Sequence, residues 1–211
     1  PYPAIANADD ADLDVFLLGG DTIYADYESP GLPGVPQAAT LDDYRAKYQE
    51  VYGERGGANF FAELLASTSI YATIDDHEVT NDFAGGGLIG TTAESEFRDL
   101  FPGDDPTAFV NDSTLYENGL QAWQEHHAIA EEFYGSTGDA RTEGERKLYR
   151  SQAFGDDAAI MVLDQRSFRD EQIDAVSDPT DLAQIAAFEA ASFDPDRTLL
   201  GEAQLAELKA D

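Results

Sequence analysis

Three short apolar runs in this chain end abruptly in polar clusters, and that pattern constrains the fold most. The first, Val15 to Leu18 in "DLDVFLLGGD", stops at Gly19-Gly20 and meets Asp21. The second, in "SIYATIDDHE", reads as a strand through Ile74 and meets Asp75-Asp76-His77. The third, Ala159 to Leu163, meets Asp164 and Arg166. Short apolar runs bounded by turn residues predict buried strands. Strands mixed with helical segments predict an α/β layered domain. In open α/β sheets, ligands bind just outside the carboxyl ends of strands. If these strands are parallel neighbours, their carboxylates converge, and converging carboxylates call for a cation between them. A dinuclear metal site is the expectation. One Asp after a strand is more often a turn residue, but three such ends in one chain argue for chemistry.

The segments between fit that frame. "TLDDYRAKYQEVYG" predicts a helix, with Thr40 as cap, Asp43 as its acidic partner and Gly53 as stop. "NFFAELLAS" predicts a second helix capped by Asn59, and "LQAWQEHHAIAEEFYG" an amphipathic one ended by Gly135. The stretch from Asn81 to Ser113 reads as irregular. Leu148 to Phe154 and Ala159 to Leu163 predict a β-hairpin about Gly155-Asp156-Asp157. A short helix is expected from near Gly201.

Composition removes several function classes. Apolar residues are 42% of the 211, enough to bury a core. Asp and Glu number 43 against 12 Lys and Arg, a net charge of −31. Such a field repels nucleic acid and anionic membrane surfaces. No apolar run is long enough to span a bilayer, and no signal peptide is visible. Cysteine is absent, so thiolate metal sites and Cys nucleophiles are excluded. No P-loop, nucleophile elbow or dinucleotide fingerprint occurs. The acidic excess reads first as a surface adapted to high salt, where screening reaches about 3 Å. A multi-site cation binder is the alternative.

Individual residues carry the candidate chemistry. In "GDTIYAD", Gly20 permits a tight turn that points Asp21 off the sheet edge, and Tyr24 reaches the same side. A phenolate there would favour a ferric ion. In "IDDHE", acids and an imidazole at one strand end suit metal binding and leaving-group protonation. His126 and His127 point about 100° apart on a helix and cannot chelate as an i, i+4 pair. Arg166 offers a guanidinium fork for phosphate. A salt bridge to Asp164, or to Asp170-Glu171, is its equal alternative.

Taken in order, "DLDVFLLGGDTIYAD", "YATIDDHEVTNDF", "LYRSQAFGDDAAIMVLDQRSFRD" and "RTLLGEAQ" resemble the signature segments of the PhoD-like alkaline phosphatases. These belong to the calcineurin-like metallophosphoesterases. The resemblance implies a two-sheet α/β/β/α sandwich with a metal centre at its edge. It implies hydrolysis of phosphate monoesters and diesters, with Fe3+ and Ca2+ as cofactors or other divalent cations in their place. An extracellular or cell-surface location and a small phosphoester substrate are implied as well. Carried over by position, Asp21 bridges the metals, Tyr24 is the phenolate ligand, and Asp76 and Asn81 are further ligands. His77 assists the leaving group, and Arg166 binds phosphate.

Two departures qualify this. The family has a ligand-bearing strand before its "GD" segment, and here only twenty residues precede Asp21. The family also ends on strands supplying Asp and His ligands, and here no histidine follows His127. Residues 1–211 are therefore expected to be a partial domain, incomplete at both ends. A non-catalytic, acidic, salt-adapted or cation-binding module derived from the enzyme is the rival expectation.

Overall fold

The computed structural model describes residues 3–90 and 99–211. It is a mixed α/β chain. Strand β1 (Val15–Leu18) pairs in parallel with β2 (Ser69–Ala72), with Val15 opposite Ser69 and Leu18 opposite Ala72. A parallel pair needs a long crossover. Here it carries helix α1 (Leu41–Tyr52) and helix α2 (Phe60–Ser67). Both strands therefore end at one edge, as the converging-carboxylate expectation requires.

The helix caps follow the sequence. Thr40 Oγ1 accepts from Asp43 N, and Asp43 Oδ2 accepts from Thr40 N, which closes a capping box. Asn59 Oδ1 accepts from Ala62 N at the start of α2. Tyr44 and Tyr48, four residues apart, put both rings of α1 into the core. They meet Tyr116, Leu120 and Trp123 of helix α3 (Thr114–His126).

Helix α3 departs from its expected bounds at both ends. It begins after Ser113, whose Oγ accepts from Tyr116 N. It stops at His126, well before Gly135. The two histidines end it. Nδ1 of His126 and of His127 bond the carbonyls of Ala122 and Trp123, both at 2.7 Å. His127 Nε2 lies 2.8 Å from the Tyr52 hydroxyl. As expected, neither is arranged to chelate.

Burial lowers the His127 pKa to about 4, with the nearby His126 and Arg150 charges acting in the same direction and the Trp123 carbonyl opposing them. The folded state thus refuses a proton that the unfolded chain takes near pH 6.5. The stability from neutral His127 is complete above about pH 6.5 and is lost as pH falls toward 4. It amounts to roughly 3 kcal/mol. In His127→Gln, stability measured by denaturant titration should fall less between pH 6.5 and 4 than in the wild type. Parallel pH curves would contradict this.

Strands β3 (Arg150–Phe154) and β4 (Ala158–Val162) form the expected antiparallel hairpin, with Arg150 opposite Val162. It is a second two-stranded sheet, so β4 is no hydrogen-bonded neighbour of β1 or β2 among the described residues. Side chains join the two sheets instead. Thr73 Oγ1 donates to Leu163 O at 2.7 Å, and the Arg150 guanidinium donates to Ala72 O.

Helix α4 (Leu182–Ser192) was not legible in the acidic tail. Asp181 caps it, and none of its residues is buried. Helix α5 (Gly201–Ala210) starts where expected. Its buried Gln204 brackets Asp164, accepting from Asp164 N and donating to Asp164 O. The stretch from Asn81 to Ser113 is turns with one 3-10 segment, Val110–Asp112, and its residues 91–98 lie outside the described ones. No helix among the described residues is long and apolar enough to cross a membrane.

Candidate metal centre

The second strand leaves its ladder sooner than expected, at Ala72 rather than Ile74, and the reason is a buried carboxylate. Glu78 is fully buried and accepts three backbone N–H groups: Asp21 at 3.1 Å, Thr22 at 2.6 Å and Asp75 at 2.9 Å. It pins the end of β1 to the end of β2. Burial raises its pKa to about 7 against the pull of those three bonds.

Gly20 makes the approach possible. Its φ is +109°, and a Cβ there would lie 2.2 Å from Asp75 N. Gly20→Ala should cost about 2–4 kcal/mol and separate the two strand ends. A thermal melt checks this, and wild-type stability in the variant would contradict it.

Asp21 follows in left-handed backbone, φ 54°, which Asp tolerates better than most residues. Asp21, Asp76 and His77 each offer a ligand atom, and these lie within 4.8 Å of one another. Buried Asp21 Oδ1 has no hydrogen-bond partner among the described residues. Burial raises the Asp21 pKa, His77 opposes that, and Asp75 and Asp76 add to it. A carboxylate so placed gains from a cation.

His77 is firmly oriented. Its Nδ1 lies 2.7 Å from Asp26 Oδ1, and its ring stacks on Tyr24 at 4.2 Å between centroids. Burial works against its cation, but the Asp26 bond and charge, with Asp76 and Asp21, outweigh it and raise the pKa. Tyr24 is 46% exposed. The charge of Asp21 comes first in raising the Tyr24 phenol's pKa, so a phenolate there needs a cation beside it.

Arg166 takes neither of the salt bridges read from sequence. Its Nε lies 2.5 Å from Asp75 Oδ1 and its Nη2 3.2 Å from Asp76 Oδ1. The backbone, not the guanidinium, meets Asp164: Oδ1 accepts from Arg166 N and Ser167 N. Asp164 is thereby a buried turn-former. The glycine run secures the same loop. Gly85 N donates to Arg166 O and Gly86 N to Arg169 O, and a Cβ on Gly85 would sit 2.2 Å from Ser167 O. Asn81 is exposed, and its amide donates to Asp82 Oδ2.

Asp26 and Glu78 were not singled out in sequence. Asp26 lies inside the "GDTIYAD" segment and Glu78 closes "DDHE". Their proximity to the other acids was the available signal.

An α/β chain that gathers carboxylates and an imidazole at parallel strand ends has the ligand-site placement of its class. The family model described as PhoD-like phosphatase matches residues 1–211, and the chain belongs to that family. A solved structure titled "Structure of PhoD" is similar, with 28% identity and a TM-score of 0.64. The match covers 98% of this chain and 35% of that one, so the chain spans about a third of the PhoD chain's length. No curated protein matches the chain.

Proposed function

We propose that this chain carries a metal-binding part of a phosphoester hydrolase acting on monoesters, diesters or both, within a two-sheet α/β/β/α sandwich. The meeting of Asp21, Asp76 and His77 in a PhoD-like phosphatase chain carries this reading. The donor set fits a hard cation: carboxylate oxygens, a phenol and the orphaned Asp21 Oδ1. Asp21, Tyr24 and Asp76 are the proposed ligands, with Asn81 as a further one. Fe3+ and Ca2+ are the proposed ions, with other divalent cations as alternatives. Bound there, such ions supply Lewis-acid polarisation of phosphoryl oxygens and an acidified water.

The remaining work belongs to side chains. Asp26 holds His77 by Nδ1, which leaves Nε2 to protonate the departing oxygen. The Asp26 carboxylate beside Nδ1 favours the protonated ring. Arg166 neutralises Asp75 and Asp76, and its guanidinium is the proposed phosphate-binding group. An extracellular or cell-surface setting, at high salt, is the proposed environment.

The test is nitrophenol release from nitrophenyl phosphate by the full-length protein at alkaline pH in molar salt. Chelation should abolish it. Asp26→Asn should lower kcat by about tenfold to a hundredfold, because His77 loses its orienting partner. Turnover indifferent to chelator, or to the Asp26 change, defeats the reading. A second reading rests on Arg166 itself. With its guanidinium held by two carboxylates, Arg166 is engaged rather than offered to a phosphate, which favours a cation-binding module without catalysis at the Asp21 and His77 side of the corner. Metal bound without turnover would favour that module.

A further inference from the structure

A small cavity opens directly beside the candidate metal centre. Its volume is about 240 Å³, and Thr22 and Tyr24 line it together with Tyr27, Lys47, Val51 and Arg55. Tyr24 thus belongs both to the cavity and to the Asp21–His77 corner. An aromatic wall runs between them. The His77 ring stacks on Tyr24, and Tyr24 meets Tyr27 edge-on at 5.9 Å, 72° between planes.

Tyr27 is the exposed end of that wall, 61% accessible. Its backbone is fixed independently of its ring: the buried Lys47 ammonium donates to Tyr27 O. Charge is balanced here. Two of the chain's 12 cations, Lys47 and Arg55, line the cavity opposite Glu28 and Glu50. Arg55 Nη2 lies 2.6 Å from Glu50 Oε1. A neutral organic group therefore meets no net charge here, while Arg55 is already paired with Glu50 and the Lys47 ammonium is turned to the Tyr27 carbonyl. The volume falls just below the range typical of drug-sized ligands, which leaves room for one small ring system rather than a polymer.

We infer that this cavity is the subsite for a planar, aromatic substituent of the phosphoester, with Tyr27 as its specificity-determining residue. The inference rests on the phosphoester reading of the neighbouring corner. The ring stacks against Tyr27.

Phenylphosphonate and methylphosphonate test it, since neither is hydrolysed and both present the same phosphorus group. Their affinities for the metal-supplied full-length protein are measured by calorimetry. Phenylphosphonate should bind roughly three- to tenfold more tightly than methylphosphonate. Tyr27→Ala should erase that preference, and Tyr27→Phe should keep it. Equal affinities in the wild type, a preference that survives Tyr27→Ala, or no binding of either ligand overturns the inference. Nitrophenyl phosphate turnover is scored separately. Phenyl preference without turnover would sink the hydrolase reading and leave the subsite standing.

Discussion

Asp21→Asn should lower phosphoester turnover by at least a hundredfold and remove the tightly held metal, while the fold stays intact. Asn keeps the size of Asp and its tolerance of the left-handed backbone at φ 54°. The change removes only charge. Without metal the variant should be no less stable than the wild type. Burial and the neighbouring Asp75 and Asp76 already disfavour the Asp21 anion. If Asp21 holds metal as proposed, losing its carboxylate would remove several kcal/mol of charge stabilisation at the reacting phosphate. Matched melting curves beside divergent kcat values would separate this outcome from simple unfolding. Undiminished turnover would remove Asp21 from the site.

The second large effect concerns salt. Among the described residues, Asp76, Glu78 and Asp164 are the only buried acids. The other described acids are exposed or half-buried, and the whole chain has 43 acids against 12 cations. At about 0.1 M salt the Debye length is about 10 Å, and at molar salt about 3 Å. Between those conditions repulsion among exposed carboxylates is screened. The melting temperature should rise by at least about 10 °C, equivalent to roughly 3–5 kcal/mol for a chain of this size. Potassium chloride is the right titrant. A similar rise at millimolar calcium, with none in potassium, would favour the multi-site cation binder. A flat response to both contradicts the salt-adapted surface.

The features that positioned the site were readable because they are local. An apolar run ending in glycine and an acid names a strand end, and parallel pairing of β1 with β2 brings two such ends together. The caps at Thr40 and Asn59 were legible for the same reason. What escaped depends on burial. Nothing in "DDHE" tells which carboxylate turns inward, yet Glu78 turns in to hold the strands while Asp76 stays with the site. Asp26 acquires its role only when the chain folds back to place it 2.7 Å from His77. Arg166 lies ninety residues beyond Asp76 in sequence, so its true partners were beyond local reading. The end of α3 misled the pattern because two histidines, rather than a glycine, bond its last carbonyls. Exposed α4 is held by its Asp181 cap and carries no buried face that periodicity would flag.

Asp21, Asp76 and His77 are proposed to form a hydrolytic metal corner. Elemental analysis of the full-length protein, purified in molar salt and assayed before and after chelation, tests it most directly. The expected result is tightly held metal at a fixed ratio to protein, lost together with nitrophenyl phosphate turnover and restored together on adding it back. Turnover that persists in metal-free protein would contradict it.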